Sequence, residues 1–276
     1  GCEAIRRMMQ VGLRPAVVRL YDEFDTVMAR SGAEKGSDAD SLIKMITGKV
    51  EGSGALPWIK RQALQLVLSR PELTNRMVDE FAPRISTDGC LCIVGFEGDR
   101  RLVEAQAKLG HEELMRSGAR DLGEEPGWHW FRHRYSVSYK QSKIFTSGAF
   151  VDTMEVAATW DKLMDLYEGV RKAISPFAFV MAHFSHAYPE GCSIYFSFAG
   201  NAAQPTQARK AYERLWQEAL AAATRAGGTI SHHHGVGRSK AGYMTEEHGN
   251  SIRLLKSLKA TFDPQGIMNP GVLGIP

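Results

Sequence analysis

Cys192-Ser-Ile-Tyr-Phe-Ser-Phe-Ala-Gly200 is the stretch of sequence that decides the fold. Its apolar side chains alternate with hydroxyl groups, which predicts a half-buried strand with Ile194, Phe196 and Phe198 on one face. A helix is predicted over residues 205–226. This helix presents small and apolar side chains at helical spacing that would cover the apolar face of the strand. They are Ala208, Ala211, Leu215, Ala219 and Ala222.

The other face of the same strand carries Ser193, Tyr195 and Ser197. A hydroxyl-lined face of an antiparallel sheet can point to solvent or to a wet cavity. From the strand alone, solvent is the simpler interpretation.

The strand pattern occurs a second time, earlier in the chain. Cys90-Leu-Cys-Ile-Val-Gly-Phe-Glu-Gly98 also fits C-x5-F-x-G, and a helical segment through about Ser117 follows it. Strand–helix units of this kind predict an α+β fold with two related halves, an antiparallel sheet and helices on one face. An accidental match of two short strands is the alternative to duplication. Further strands are predicted near residues 16–22, 144–157, 177–187 and 228–233.

Other segments complete the prediction. Helical periodicity over residues 3–13 ends before Pro15, and two more helices are predicted near 56–69 and 71–82. A polar, glycine-rich stretch at 31–54 predicts a loop.

Composition places the chain among ordinary globular proteins. It has 276 residues, 43% of them hydrophobic and 24% charged. A formal charge of +3 is too small to indicate nucleic-acid binding. No apolar run approaches the roughly 20 residues that cross a bilayer. The four cysteines do not make a disulfide framework in a chain of this length, which favours a reducing compartment.

The run Ser231-His-His-His-Gly-Val-Gly-Arg-Ser-Lys240 is the main candidate for chemistry. Histidine exchanges protons near neutral pH, and the two glycines allow a tight turn, so His232, His233 and His234 predict an active-site rim. His232 and His234 could share a metal ion, but no acidic or cysteine ligand stands nearby in sequence, and no metal is expected. A solvated polar loop is the third interpretation, and the run is too short and internal for a purification tag.

Two groups of cations are candidates for binding an anionic substrate. Arg19 projects from the predicted first strand on the side away from the apolar residues. Its planar fork matches carboxylate or phosphate, although an arginine there is more often a surface charge. Lys140 and Lys143 form a second basic pair in a segment rich in tyrosine and serine, for which a solvated face is the alternative.

Several motifs, in order along the chain, resemble those of the alkyldihydroxyacetonephosphate synthases, FAD-linked oxidases of the vanillyl-alcohol-oxidase type. The histidine run resembles the histidine loop of these enzymes. The other matching stretches are Arg14-Pro-Ala-Val-Val-Arg-Leu-Tyr-Asp22, Phe96-Glu-Gly98, Ala158-Thr-Trp160, Ser193-Ile-Tyr-Phe196 and Phe262-Asp-Pro-Gln-Gly-Ile-Met-Asn-Pro-Gly271.

The resemblance covers the C-terminal half of such enzymes and implies a cap of duplicated ferredoxin-like units. It assigns residues 1–230 to the cap domain and 231–276 to the histidine loop plus a segment that returns to the flavin domain. FAD would be bound mainly by an N-terminal domain that this sequence lacks. The chain also opens without a methionine, so we expect it to be a piece of a longer polypeptide.

The resemblance also implies a reaction and the residues that carry it. The family exchanges an acyl ester for a fatty alcohol ether through an adduct at flavin N5. Tyr195 matches a tyrosine of proton transfer, which would need a neighbouring imidazole at neutral pH. The loop histidines match an essential loop, and Arg19 an arginine important for activity. The family's phosphate-binding arginine is replaced by Gln141, so Lys140 or Lys143 would have to supply the charge, without a bidentate grip.

Three functions follow as hypotheses: an ether-forming flavoenzyme, an FAD-dependent oxidase or dehydrogenase of a 2-hydroxy acid or alcohol, and a ligand-binding cap without catalysis of its own. The isolated chain is expected to show little turnover. Expected partners are a lipid-like or small hydroxy-acid substrate, the membrane surface as a peripheral contact, and a second copy in a full-length homodimer. The expected location is cytoplasmic, or peroxisomal in a eukaryote.

Overall fold

A computed structural model of the chain describes residues 1–33, 67–85, 89–135, 149–202 and 204–275. Its centre is a five-stranded sheet in which every neighbouring pair is antiparallel, in the order β2-β1-β4-β5-β3. The strands are β1 (Val17–Tyr21), β2 (Cys92–Gly95), β3 (Phe150–Thr159), β4 (Phe179–Ala187) and β5 (Gly191–Gly200).

Helices connect and flank the strands. In chain order they are α1 (Cys2–Gln10), α2 (Glu23–Ala33), α3 (Pro71–Ile85), α4 (Arg100–Arg116), α5 (Glu125–His133), α6 (Leu163–Ile174), α7 (Pro205–Arg225), α8 (Met244–His248) and α9 (Ile252–Phe262). None of the helices in the described ranges combines the length and apolar character needed to cross a bilayer.

The main core lies between one face of the sheet and helices α1, α6 and α7. Ile194, Phe196 and Phe198 of β5 are buried there, as their alternation predicts. From α7, the predicted Leu215, Ala219 and Ala222 are buried against them. Ala208 and Ala211 are only partly buried. The buried residues of this helix begin at Leu215. The predicted α+β fold with an antiparallel sheet is confirmed.

A smaller cluster covers the opposite face at the β1–β2 end of the sheet. Tyr21, Leu91 and Ile93 are buried there against Ala29 of α2 and Trp130 of α5. Phe24 of α2 also packs edge-on against Phe179 at the start of β4. Further along the second face, β3, β4 and β5 carry a group of polar side chains.

The second half of the chain follows a ferredoxin-like order. Strands β3, β4 and β5 are connected through α6 and a hairpin, and they lie in the order β4-β5-β3. The strand predicted at 228–233 was wrong, since only an isolated bridge joins Thr229 to Ala157. After this bridge the pairing with β3 becomes irregular. The Glu247 carboxylate accepts the Ile230 N–H, the His232 N–H donates to the Glu155 carbonyl oxygen at 3.2 Å, and His233 takes a positive φ of 24°.

The first half departs further from the prediction. Helix α2 was not predicted, and it includes the first three residues of the predicted 31–54 loop. The rest of that loop, and residues 56–66 of a predicted helix, lie outside the described residues. Strand β2 lies at an edge of the sheet and β5 in its interior, so the two C-x5-F-x-G segments hold different positions. Duplication of the whole unit stays a prediction.

The C-terminal segment joins the same core. Met244 of α8, Ile252 of α9 and Ile275 are buried in the main cluster. Ile230, which precedes the histidine loop, is buried in the same cluster, so the loop is held on both sides by residues anchored in the body of the domain.

Candidate functional site

The candidate site lies on the polar face of β3, β4 and β5. Side chains of successive strand residues point to opposite faces, so the neighbours of the buried core residues project here. They include Glu155 of β3, His183 of β4, and Ser193 and Tyr195 of β5. The loop that follows Thr229 folds over this face and brings three histidines onto it.

Glu155 is the centre of the site. Its side chain is fully buried, and its Oε1 accepts hydrogen bonds from Ser193 Oγ at 2.7 Å, His186 Nδ1 at 3.1 Å and His232 Nδ1 at 3.2 Å. The Nε2 atoms of His233 and His234 each lie 3.3 Å from Oε2. Neither contact has hydrogen-bond geometry, so Oε2 has no hydrogen-bond partner within the described ranges.

The charge state of Glu155 follows from these contacts. Burial by itself would raise the pKa of this carboxyl group. The hydrogen bonds from His186 and Ser193, with the charges of His233 and His186, outweigh burial and lower the pKa of Glu155 to about 2. Glu155 is therefore an anion at neutral pH, surrounded by imidazoles.

The histidine loop is braced by polar contacts at its base. Ser231 Oγ donates to Gly235 O at 2.7 Å, and Lys240 Nζ donates to Ser231 Oγ at 2.9 Å. Lys240 is buried, which lowers its pKa. Burial also lowers the pKa of His232 and of His234, against the attraction of the Glu155 anion. These braces keep the loop over the sheet.

Tyr195 lies between two strands that both carry titratable groups. Tyr195 is paired with Glu155 on the neighbouring strand β3 and with His183 on the neighbouring strand β4. Its ring stacks on the His183 ring at 4.9 Å and meets the His234 ring edge-on at 5.4 Å. We find no described side chain that hydrogen-bonds to its hydroxyl, which leaves the phenol available to a ligand on this face.

Arg19 reaches the same face from β1. Its Nη2 lies 3.4 Å from His183 Nδ1, and Asp25 Oδ2 lies 3.0 Å from the same nitrogen. Burial, together with the Arg19 charge, lowers the pKa of His183 well below its usual range, so this imidazole is neutral. The buried Arg19 Nε has no hydrogen-bond partner within the described part of the chain. Such an atom is suited to an anionic ligand.

The structure brings together most of the residues that the sequence singled out. Tyr195 and the three loop histidines surround one carboxylate, and Arg19 stands on β1, beside His183 of β4. Lys140 and Gln141 lie outside the described residues.

Three residues of the site, Glu155, His183 and His186, were not predicted. Glu155 is 77 residues from His232 in sequence, so no local spacing relates the two. A charged residue between Met154 and Val156 in a predicted strand was the available signal. His186 was hidden by a β-bulge between Ser185 and Ala187, which breaks the alternation of the strand.

The same cluster could hold a divalent cation. One ligand atom from each of Glu155, His186, His232 and His233 lies within 4.8 Å of the others. No metal was expected because an acidic ligand was missing near the loop in sequence, and β3 supplies that ligand in space. Carboxylate and imidazole are suitable ligands for zinc.

The amino-acid sequence matches the model of a known protein family. The model of the FAD linked oxidases, C-terminal domain, matches residues 1–273. An alkyldihydroxyacetonephosphate synthase of Dictyostelium discoideum is 30% identical over 217 residues, covering 72% of this chain and 34% of that protein. An uncharacterized FAD-linked oxidoreductase of Escherichia coli K12 is 31% identical over 287 residues, covering 99% of this chain and 49% of that protein.

A solved structure of an alkyldihydroxyacetonephosphate synthase has the same fold. It superposes with a TM-score of 0.57 at 20% identity and covers 97% of this chain and 42% of that chain. The chain thus spans less than half the length of each of these relatives.

Proposed function

Because the chain belongs to the FAD-linked oxidases, as their C-terminal domain, we propose that it forms the substrate side of an ether-forming flavoenzyme. The reaction would exchange the acyl ester of an acyl-dihydroxyacetone phosphate for a fatty alcohol. The observation that carries this proposal is the convergence of Tyr195 and His234 beside the Glu155 anion, on a polar face where Arg19 Nε has no hydrogen-bond partner in the part of the chain that the structure describes.

The polar face is suited to contact a substrate that lies beside FAD. A buried Arg19 Nε and Glu155 Oε2 both lack hydrogen-bond partners within the described ranges, and buried polar groups are normally paired. Arg19 and Tyr195 would face the substrate beside the flavin. When bound, FAD supplies an electrophilic centre that can accept and return an electron pair.

The residues of this chain would handle the protons and the anionic end of the substrate. Tyr195 would give or take a proton at the reacting oxygen, with His234 at the edge of its ring as the exchange partner. Glu155 would hold the loop imidazoles in place and stabilise their cationic forms. Arg19 would bind a phosphate or carboxylate oxygen through Nε, which meets no hydrogen-bond partner among the described residues.

The test is an absorbance measurement on the full-length protein that carries this domain. Incubation with acyl-dihydroxyacetone phosphate, without an electron acceptor, should bleach the flavin band and release fatty acid. Addition of a fatty alcohol should restore the band and give the ether. A flavin band that does not change with this substrate would contradict the proposal.

A second candidate is oxidation of a 2-hydroxy acid or an alcohol. The similarity to an FAD-linked oxidoreductase over nearly the whole chain favours it. In that case a site histidine would accept the hydroxyl proton, and a hydroxy acid would bleach the flavin band until an electron acceptor is added.

The third hypothesis, a cap that binds ligand without catalysis, is separated from both by mixing this chain with a separately produced N-terminal half. Only an enzyme predicts restored turnover in the mixture.

A further inference from the structure

We propose that one carboxylate and three imidazoles of the polar face bind a single divalent cation of the zinc class, which ties the histidine loop to the sheet. The four ligand residues are Glu155, His186, His232 and His233. They come from β3, from the bulge of β4 and from the loop, so the ion would join three separate parts of the chain. The proposal does not rest on the ether-forming function, because a loop braced in this way suits any ligand of the polar face.

The separations of the ligand atoms are close to those of a tetrahedral site. Each of the four residues offers one atom, and these atoms all lie within 4.8 Å of one another. His186 Nδ1 and His232 Nδ1 lie 3.1 Å and 3.2 Å from Glu155 Oε1, and His233 Nε2 lies 3.3 Å from Oε2. Zinc bonds to nitrogen and oxygen are about 2.0–2.2 Å long, which places tetrahedral ligand atoms about 3.3–3.6 Å apart. The side chains therefore need little movement to bind the ion.

The buried carboxylate points to a ligand on independent grounds. The Glu155 side chain is fully buried, yet its Oε2 has no hydrogen-bond partner among the described residues. Buried polar atoms are normally paired, because an unpaired charge in the interior is costly. A cation bound by this carboxylate would give Oε2 the partner that the described side chains do not supply.

Neighbouring hydroxyl groups orient the ligands. His186 Nδ1 also lies 3.2 Å from Ser185 Oγ and 3.4 Å from Ser193 Oγ, and Ser193 Oγ donates to the carboxylate at 2.7 Å. On the loop, Nδ1 of His232 faces the carboxylate while Nε2 lies 3.1 Å from the Tyr188 hydroxyl. Metal-binding histidines and carboxylates regularly have such outer hydrogen-bond partners, which orient them and raise the affinity for the metal.

Two of the three imidazoles are presented by strained backbone. His186, the extra residue of the β4 bulge, has a φ of 49°, and His233 has a φ of 24°. Histidine rarely adopts this region, and strain of this kind is found at ligand-binding and active sites. Here the strain directs two rings from different parts of the chain toward one carboxylate.

The ligand set selects the class of ion and its role. Magnesium and calcium prefer oxygen ligands, whereas imidazole with carboxylate suits zinc. Four protein ligands complete a tetrahedral sphere, as in structural zinc sites, whereas catalytic sites keep one position open. The ion would therefore brace the histidine loop. Tyr195 and His234 lie outside the ligand group and would stay available for proton transfer.

Zinc binding by the full-length protein, after removal of metal with a chelator, tests the proposal. Equilibrium dialysis with elemental analysis should give one Zn²⁺ per chain, and Co²⁺ in its place should give the visible bands of a tetrahedral site. His186→Ala and Glu155→Gln should each weaken zinc binding by at least about 100-fold, because loss of an outer partner alone costs about 10–100-fold. The His186 side chain is 50% exposed, so its replacement should leave the fold intact even if Glu155→Gln does not.

Two controls separate this site from other histidines. His234→Ala removes an imidazole that lies 3.3 Å from the same carboxylate but is outside the ligand group, so the zinc affinity should not change. The rings of His129 and His133 stack at 4.3 Å on α5, and replacing both by Ala should leave one zinc per chain. No zinc binding, binding that survives both ligand substitutions, or binding lost with the α5 pair would each overturn the proposal.

Hydrogen exchange measures the effect of the ion on the loop. Zinc should slow exchange of the backbone amides of residues 231–240 by at least about tenfold in the unsubstituted protein and not in His186→Ala, because loop opening would require release of the ion. Exchange in residues 117–124, between α4 and α5, should not change. Unchanged exchange in residues 231–240 would reject the bracing role. Both measurements are independent of turnover, so absence of ether exchange would reject the proposed function alone.

Discussion

At the scale of single residues, Tyr195 is positioned by its ring and not by its hydroxyl. The ring is held by stacking on His183 and by the edge contact with His234. We therefore expect Tyr195→Phe to change the free energy of unfolding by less than about 1 kcal/mol, since no buried hydrogen bond is lost. Turnover should fall by about 100-fold or more, because the proton-transferring group is removed. Urea unfolding and an ether-exchange assay on the full-length protein measure the two effects, and near-normal turnover would reject this role.

Glu155→Gln tests the central anion through pH. The pKa of Glu155 is lowered from 4.5 to about 2, so its ionised form stabilises the fold. That contribution is fully present above about pH 4.5 and is lost as the pH falls toward 2, on the order of 3 kcal/mol in all. Urea unfolding between pH 5 and pH 3 should show the unsubstituted protein losing more stability than Glu155→Gln. Parallel losses in the two proteins would mean that the carboxylate is not stabilised by its neighbours.

The residues of the site were predicted in part. Tyr195 and the loop histidines could be found because the first stands in a regular alternation and the others in an unusual run. Glu155 and His186 could not, since their meeting depends on strand pairing and on a bulge, neither of which leaves a spacing in the sequence.

At the scale of elements, Asp22 joins β1, α2 and β4. Its Oδ1 accepts the Asp25 N–H at 2.8 Å and so caps α2, while Oδ2 accepts the Ala182 N–H of β4 at 2.8 Å. Asp22→Ala removes the cap and leaves a buried N–H unpaired, so we expect a loss of about 2–3 kcal/mol in the free energy of unfolding. Urea unfolding measures the loss. The matched control is Asp99→Ala at the exposed cap of α4, which should cost about 1 kcal/mol or less; an equal cost at both sites would contradict the linking role of Asp22.

Elements with one fully buried face were the easiest to predict. The alternation of β5 and the periodicity of α7 survive in the structure because one face of each is fully buried. The final strand of the ferredoxin-like unit was overpredicted, since the N–H groups of Thr229 and His232 donate to Ala157 and Glu155 of β3 at a spacing of three residues, whereas a regular ladder uses every second residue. Helix α2 was missed because its sequence, Glu23–Ala33, is only weakly amphipathic and follows directly on β1.

At the scale of the whole molecule, the C-terminal helix carries an uncovered apolar stripe. Leu254, Leu258 and Phe262 recur at every fourth position of α9 and are exposed, Phe262 by 83%, and Ile267 and Met268 continue the surface. Contiguous apolar patches are rare on the surfaces of monomeric proteins. We expect this stripe to be covered by the flavin-binding half of the full-length protein.

Replacing Leu258 and Phe262 by Glu tests that expectation. The isolated chain should unfold at nearly the same urea concentration, because both side chains are already exposed. Association with a separately produced N-terminal half should weaken by at least about tenfold, because two large apolar contacts are lost and two charges are buried. Ala105→Glu with Ala107→Glu, at exposed positions on α4, adds the same two negative charges and is the control. Unchanged association would place the contact surface elsewhere.

The sharing of one carboxylate oxygen by a serine and two histidines has an evolutionary consequence. A substitution at any one of these positions changes what the others can bond to, so it is tolerated only with particular residues at the rest. Among descendants of a common ancestor, substitutions at positions 155, 186, 193 and 232 should therefore be correlated. A change of substrate should be accompanied by substitutions at several of these positions in the same lineage.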